Sequence, residues 1–139
     1  MKKSDNKVVN LFEESNKGIQ KTVITETMKM KRGGSLSNPV LAYETWGKLS
    51  KSKDNVVVIL TGLSASSHVA SSSSDSNPGW WEGIVGPDKA IDTKKYFVIC
   101  ANVMGGCMGS FGPSHEDPST GTAFGTNFPV ITINDMVNA

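Results

Sequence analysis

Two short apolar runs constrain the fold of this chain more than any other feature. They are Val56–Leu60 and Tyr96–Ala101, and both are uncharged and rich in β-branched residues. Such runs are typical of strands that are buried on both faces of a parallel sheet. A parallel pair needs a crossover connection, and the segment between the runs contains a predicted short helix at Trp80–Val85. The sequence therefore predicts a parallel βαβ unit and the α/β fold class.

An antiparallel strand pair is predicted to precede this unit. The alternating pattern of residues 23–31 indicates an edge strand, and Val40–Trp46 forms a second strand after a turn at Gly33-Gly34. The preceding residues, 1–22, are polar and lysine-rich and are predicted to form a weakly ordered extension. We therefore assign residues 1–22 to the extension and residues 23–139 to one domain.

Composition excludes several classes of function. The chain has 139 residues and a formal net charge of +1, which argues against non-specific nucleic-acid binding. No apolar run reaches the length of about 18 residues that a membrane span needs. The only cysteines, Cys100 and Cys107, are too few for a disulfide framework and lack the spacing of a zinc site with the two histidines. We expect no metal, no membrane partner and a reducing, cytoplasmic setting.

Two loops that follow the apolar runs are candidate sites. In residues 61–68 the small side chains leave backbone N–H groups free to bind an oxyanion, although a flexible serine-rich connection fits equally well. In Gly105–Gly109, Cys107 has the spacing of a nucleophile elbow. An elbow opens into a helix, however, whereas Ser110–Pro113 interrupts one, so a structural loop with a packed cysteine is favoured.

The remaining candidates have modest interpretations. Trp80 is predicted to pack on the sheet, and the role of Trp81 is left open. His68 and His115 are interpreted as loop histidines, of which His115 is the base nearest to Cys107. Near the chain's last residues, Thr132 or Asn134 is predicted to cap a helix, with Asp135 in its first turn.

Four further segments are distinctive, and they read VLAYETWG, TGLSASSHVA, PGWWEGIVGPDKAIDTKKYFVICANVMGGCMGSFGP and DPSTGTAFGTNFPVITINDMV. Together they resemble the homoserine O-acetyltransferase family, including its fungal serine and homoserine O-acyltransferase relatives, and the resemblance covers residues 25–139. It implies the amino-terminal part of an α/β-hydrolase fold with an incomplete sheet. It also implies transfer of an acetyl or other acyl group from acetyl-CoA to homoserine or serine in methionine or cysteine biosynthesis. Acetyl-CoA is then a substrate, no cofactor is bound, and the full-length protein is compatible with a homodimer.

The resemblance assigns one site residue within this chain. The backbone N–H of Leu63 matches the family's oxyanion-hole donor after the third strand of the fold. The catalytic serine, aspartate and histidine are expected after Ala139, so the chain by itself is expected to be inactive. Two alternatives are a non-catalytic module that binds a full-length homologue and a cysteine enzyme that uses Cys107.

Overall fold

The computed structural model describes residues 18–24 and 27–139. These residues form ten strands, one 3-10 turn and one short helix. In chain order they are β1 (Gln20–Val23), β2 (Met28–Lys29), β3 (Ser35–Leu36), β4 (Val40–Trp46), β5 (Val56–Leu60), β6 (Val85–Gly86), β7 (Ile91–Asp92), β8 (Phe97–Ala101), β9 (Glu116–Asp117), β10 (Thr122–Ala123), the 3-10 turn Gly125–Asn127 and α1 (Ile133–Asn138).

Four of these strands form the central sheet, in the order β1-β4-β8-β5. Strand β4 is antiparallel to both β1 and β8. Strand β5 runs parallel to β8, with Val56 opposite Phe97 and Leu60 opposite Ala101. The predicted parallel pair is therefore confirmed. The predicted antiparallel partner of Val40–Trp46, residues 23–31, is wrong, because β4 pairs instead with Gln20–Val23, most of which belongs to the predicted extension. Strand β8 joins β4 to β5.

Two apolar clusters hold the sheet and its loops together. The first contains Trp46 and Val98 from the sheet together with Val69 and Val85 from the crossover, all buried. The second joins Met30, Leu36 and Met104, against which three phenylalanines pack. Each fully buried aliphatic or aromatic side chain contributes roughly 1.5–3 kcal/mol to folding, so these clusters fix the loops that follow β5 and β8.

Strand β5 is less buried than its composition predicts. Within the described residues it pairs only with β8, and Val58 and Leu60 are 63% and 85% exposed. Only Ile59 of this strand is buried. The expected incomplete sheet is confirmed, whereas burial of both faces of β5 is wrong for the described part of the chain, because no element there covers the face that carries Val56, Val58 and Leu60.

The predicted helix Trp80–Val85 is wrong. The segment makes a single turn in which the carbonyl of Trp81 accepts hydrogen bonds from the N–H groups of Ile84 and Val85, at 2.8 and 3.0 Å. The short parallel pair β6–β7 follows. Gly83, inside the turn, and Pro87, just after it, disfavour a longer helix, and Gly79 is needed because a Cβ there would lie 2.1 Å from the carbonyl carbon of Val69.

The first predicted strand differs in detail. In place of one strand over residues 23–31, β1 ends at Val23, and β2 forms a small hairpin with β3 around the predicted Gly33-Gly34 turn. Both glycines have positive φ, 95° and 81°, which explains their use in this turn. Residues 1–17 of the predicted extension lie outside the described residues.

The region 102–130, predicted as one long loop, contains the β9–β10 hairpin and the 3-10 turn. The helix after it is confirmed as α1. Thr132 caps this helix in a capping box, since its side chain accepts from the N–H of Asp135 and the Asp135 carboxylate accepts from the N–H of Thr132. No helix in residues 18–24 and 27–139 is long and apolar enough to cross a membrane.

Candidate active site

Residues 61–68, the Leu63 loop, follow the carboxyl end of β5. Backbone N–H groups of Gly62, Leu63 and Ser64 donate no hydrogen bond to any residue that the structure describes. The Leu63 side chain is 74% exposed and lines an open cleft of about 380 Å³. Unpaired amides at the end of a parallel strand, beside a cleft, are the arrangement that can bind a developing oxyanion.

The opposite wall of the cleft is the glycine loop, residues 103–112. Its members Val103, Met104, Gly105 and Gly106 line the cleft. The other lining residues are Phe128, Pro129, Ile131 and Met136. A Cβ at position 112 would lie 2.6 Å from the carbonyl oxygen of Gly106, so glycine there lets the loop close on itself. The cleft is therefore largely apolar, with backbone amides on one wall.

Four polar side chains are buried where β4, the Leu63 loop and the glycine loop meet. Glu44, Ser67, Asn102 and Ser110 are each at most 1% exposed, and we call them the buried polar network. Ser67 Oγ donates to Glu44 Oε1 at 3.0 Å and accepts from Asn102 Nδ2 at 3.0 Å. Ser110 Oγ donates to the carbonyl of Asn102 at 2.7 Å. These bonds satisfy polar groups that would otherwise cost about 1–3 kcal/mol each to bury.

His68 extends this network towards solvent. Its Nδ1 lies 3.0 Å from Glu44 Oε2 and its Nε2 lies 2.9 Å from the carbonyl oxygen of Asn77. A doubly protonated ring can donate to both oxygens at once, whereas a neutral ring has only one N–H group to donate. Burial alone would lower the pKa of His68, but the hydrogen bonds to Glu44 and Asn77 and the charges of Glu44 and Asp75 together raise it. The histidine is thus an ion-pair partner of Glu44, not the isolated loop residue that the sequence indicated.

A second carboxylate holds the crossover. Glu82 Oε2 accepts hydrogen bonds from the backbone N–H groups of Ser71 and Gly79, at 2.6 and 3.1 Å, and Lys89 lies beside it. These contacts lower the pKa of Glu82 to about 2. Asp92 acts similarly in the turn before β8, where it accepts from the N–H groups of Asp88 and Lys94.

The structure does not support Cys107 as a nucleophile. Bends follow it where an elbow needs a helix. Cys107 is also exposed, so the packed cysteine favoured from the sequence is wrong. The nearest candidate base, His115, accepts a hydrogen bond at Nδ1 from the N–H of Gly112 and packs against Phe111, with 4.6 Å between ring centroids. In the described ranges no three His, Cys, Asp or Glu side chains are grouped so that they could hold a metal ion.

Trp80 and Trp81 are not buried on the sheet. Each is 42% exposed, and their ring centroids lie 5.0 Å apart. Trp80 Nε1 donates to the carbonyl of Ser66 at 2.9 Å, and the backbone N–H of Trp81 donates to the carbonyl of Val69 at 2.8 Å. Trp80 thus bonds the Leu63 loop at Ser66, and Trp81 bonds the segment just after it at Val69.

Comparison with known proteins finds relatives that are O-acyltransferases. The chain is 55% identical over 114 residues to serine O-succinyltransferase of Emericella nidulans, covering 82% of this chain and 22% of that protein. It is 51% identical over 129 residues to homoserine O-acetyltransferase of Pelagibacter ubique, covering 89% and 34%. The resemblance to the homoserine O-acetyltransferase family is confirmed. No family model matches the chain.

Solved structures extend this resemblance to the fold. Homoserine O-acetyltransferase from Bacillus anthracis superposes with a TM-score of 0.78 at 33% identity, covering 86% of this chain and 34% of that one. Esterase E22 gives 0.74 at 34% identity, with 86% and 35% covered. The α/β-hydrolase assignment is confirmed. The chain spans between about a fifth and a third of the length of the O-acyltransferase relatives that it matches.

The buried polar network was missed from the sequence. Its signal was Glu44, a charged residue in the middle of the otherwise apolar strand VLAYETW. Carboxylates are almost never fully buried unless they are paired. A strand prediction at this position therefore also predicts a hydrogen-bonding partner for Glu44, although not which residue supplies it.

Proposed function

We propose that this chain is part of an O-acyltransferase that moves an acyl group from an acyl-CoA thioester to the side-chain hydroxyl of serine or homoserine. The support is sequence identity near 50% to relatives named for these two reactions. Serine and homoserine share one chemistry, a primary hydroxyl on an amino acid. The acyl donor, acetyl-CoA or succinyl-CoA, is a substrate in this proposal, and no resident cofactor is required.

The observation that carries the proposal is the unpaired N–H of Leu63 at the rim of the cleft. In acyl transfer a nucleophilic serine attacks the thioester carbonyl, whose oxygen becomes negatively charged. A fixed N–H that donates to this oxygen lowers the barrier, and removing one such donor typically costs about 10²–10³ in kcat. In this fold the second donor is the residue after the nucleophile. We assign the nucleophile, its base and the orienting acid to residues beyond Ala139, so the 139-residue chain alone should show no turnover.

The names of the relatives, and not the open cleft, support transfer over hydrolysis. When the serine attacks, the bond from the carbonyl carbon to sulfur breaks, the coenzyme A thiol leaves, and the acyl group is held as an ester on the serine until the amino-acid hydroxyl arrives. The hydroxyl then takes the acyl group, and the enzyme serine is regenerated as the ester product leaves.

The setting of the reaction is also a proposal. The names of the relatives support a role in methionine or cysteine biosynthesis, with small molecules as partners and neither nucleic acid nor membrane. A homodimer of the longer protein fits the family resemblance. The two unpaired cysteines, Cys100 buried and Cys107 exposed, support a reducing, cytoplasmic location.

A hybrid enzyme tests the proposal directly. The matching 114 residues of the Emericella nidulans serine O-succinyltransferase are replaced by those of this chain, and release of free coenzyme A thiol is followed with serine or homoserine as acceptor. We expect acceptor-dependent thiol release from the hybrid and none from the 139-residue chain. A folded hybrid without acyl transfer, or turnover by the isolated chain, contradicts the proposal.

Leu63 can be tested within this hybrid through its backbone. Leu63→Pro removes the N–H group, whereas Leu63→Ala shortens the side chain but keeps it. We expect the proline variant to lose about 10²–10³ in kcat relative to the alanine variant. Ala65→Pro, at another unpaired N–H in the same loop, controls for loop stiffening. Equal activity of the proline and alanine variants at position 63 rules out the oxyanion role.

The open edge of β5 favours a second candidate, a non-catalytic module that binds a full-length homologue. Within the described residues β5 has no partner strand on one side, and Val58 and Leu60 expose an apolar surface on one of its faces. Co-expression with a tagged full-length homologue separates the two functions. Stoichiometric co-purification together with an inactive hybrid favours the module, whereas an active hybrid favours the acyltransferase.

A further inference from the structure

We propose that Asn102 is a positioning residue that couples the two walls of the cleft. Its carboxamide bonds to the Leu63 loop on one side and to the glycine loop on the other. The coupling keeps the Leu63 N–H in a fixed place relative to Val103–Gly106. The catalytic part of this inference rests on the proposed function of that N–H, whereas the coupling itself does not.

The orientation of the carboxamide is set by its surroundings. Asn102 Oδ1 accepts from the N–H of Ser67 at 2.6 Å. Asn102 Nδ2 donates to Ser67 Oγ at 3.0 Å and to the carbonyl of Met108 at 2.7 Å. An N–H can only donate and a carbonyl can only accept, so the reversed amide would lose both backbone contacts. The side chain therefore has one satisfactory orientation, and in it both loops are bonded.

The backbone position of each loop depends on its hydrogen bonds to the Asn102 carboxamide. The Leu63 loop leaves the sheet after Leu60 and is then held by Trp80 at the carbonyl of Ser66 and by the buried polar network at Ser67, which is fully buried. Both polar groups that Ser67 turns towards Asn102, its N–H and its Oγ, are bonded to the carboxamide. On the other wall, Met108 contributes the carbonyl that anchors the exposed tip of the glycine loop.

The backbone of Asn102 serves the sheet by separate contacts. Its N–H donates to the carbonyl of Ala42 at 2.8 Å, and its own carbonyl accepts from Ser110 Oγ. These bonds do not involve the side chain, so Asn102→Ala keeps them. The substitution removes the coupling between the loops and leaves the pairing of β4 with β8 in place.

Residue-resolved hydrogen exchange of the 139-residue chain, at low micromolar concentration, measures the coupling without any activity. The informative amides of the first wall are those of His68, in the Leu63 loop, and Val69, just after it. Those of the second wall are Gly105 and Phe111 in the glycine loop. None of these four amides bonds to Asn102 itself. We expect Asn102→Ala to speed their exchange about tenfold or more, the effect of losing one buried hydrogen-bonded group. Amides within β4 and β8 should exchange at the wild-type rate, as should all amides in Asn127→Ala, a control at an exposed asparagine.

Faster exchange in only one loop, or in neither, overturns the coupling. Uniformly faster exchange in both the loops and the strands overturns it as well, because Asn102 would then support the whole sheet. These outcomes are independent of the acyltransferase proposal, since no substrate is present.

The catalytic consequence is tested in the hybrid enzyme. We expect Asn102→Ala to lower kcat about tenfold to a hundredfold, a part of what one oxyanion donor supplies, with KM changed less than about threefold. Asn102→Asp keeps the acceptor for the Ser67 N–H and regains one donor when protonated. Its kcat relative to wild type should therefore rise as the pH falls.

Wild-type kcat in the alanine variant, despite looser loops, overturns the positioning role. A lower kcat for Asn102→Asp whose ratio to wild type does not change with pH overturns it too. A hybrid that is inactive with wild-type Asn102 refutes the proposed function instead, and the exchange measurement still decides the coupling.

Discussion

Strands β4 and β5 belong to one sheet, yet their side chains have opposite surroundings. Residues Ala42–Trp46 of β4 are all buried, although they include the charged Glu44. Strand β5 is wholly apolar, and only its Ile59 is buried. The difference lies in how the two strands are covered, because within the described residues Ala42–Trp46 of β4 are packed on both faces, whereas the face of β5 that carries Val56, Val58 and Leu60 is open. A buried charge is tolerated in β4 because both of its carboxylate oxygens accept hydrogen bonds.

Of the substitutions that test this comparison, removing the Glu44 carboxylate should lower the free energy of unfolding the most. Glu44→Ala leaves the Ser67 hydroxyl and the His68 ring without their buried acceptor and opens a cavity beside them. We expect the free energy of unfolding to fall by about 3–5 kcal/mol, the cost of breaking a buried ion pair from one side. Urea denaturation of the variant measures this. Glu116→Ala, at an exposed carboxylate, should change it by less than about 0.5 kcal/mol, and a similar small change for Glu44→Ala would contradict the buried network.

The close approach of Gly79 to the backbone of Val69 provides the next test. Gly79→Ala places a Cβ 2.1 Å from the carbonyl carbon of Val69, a separation that the backbone can relieve only by moving. We expect a loss of about 1–3 kcal/mol, as for other overpacked sites. Gly83→Ala is the matched control, since a Cβ there meets nothing within 4 Å. Equal stability of the two variants would show that Gly79 does not pack closely against the backbone of Val69.

The His68–Glu44 pair predicts a pH dependence of smaller size. Because the pKa of His68 is raised in the folded chain, its contribution is fully present below the unfolded value of about 6.5 and is lost as the pH rises through the folded value. Unfolding free energies measured between about pH 5 and pH 9 should therefore decline on the alkaline side. His68→Asn should remove this decline and His115→Asn should retain it. A decline that persists in His68→Asn assigns the titration to another group.

A substitution on the open strand β5 should have the smallest effect on the free energy of unfolding and the largest effect on self-association. Val58→Lys places a charge on the exposed apolar strand, where it should change the unfolding free energy by no more than about 0.5 kcal/mol. It should lower hydrophobic-dye binding and concentration-dependent association, because an edge lysine opposes strand pairing. Ser52→Lys, in an exposed turn, serves as the control. Unchanged dye binding by Val58→Lys would mean that β5 is not the surface to which the hydrophobic dye binds.

Much of the sheet could be predicted from local patterns. The two apolar runs led to β5 and β8 with the correct parallel pairing, and Thr132, one of the two predicted caps, marked the start of α1. These features depend on hydrophobic periodicity and on side chains close in sequence. The position of the Leu63 loop after β5 followed from the same reasoning, because α/β folds place ligands at the carboxyl ends of strands.

The parts that could not be predicted depend on contacts between distant residues. Ser67 and Asn102 are 35 residues apart, and Glu44 lies 23 residues before Ser67. No local pattern distinguishes Ser67 from its serine neighbours, and its burial follows from the way three segments meet. The turn at Trp80–Val85 is a separate case, because Gly83 and Pro87, both visible in the sequence, disfavour a longer helix there.

The separation of β5 from its partner also has a consequence for synthesis. Val56 pairs with Phe97, and ribosomes add roughly 5–20 residues per second. The apolar strand β5 therefore waits about 2–8 s for β8 to be translated, while strand pairing across so long a loop is itself slow. During that interval the nascent chain presents an unpaired hydrophobic segment of the kind that holdase chaperones bind. The timing of translation past Ala101 should therefore govern how much of this chain escapes co-translational aggregation.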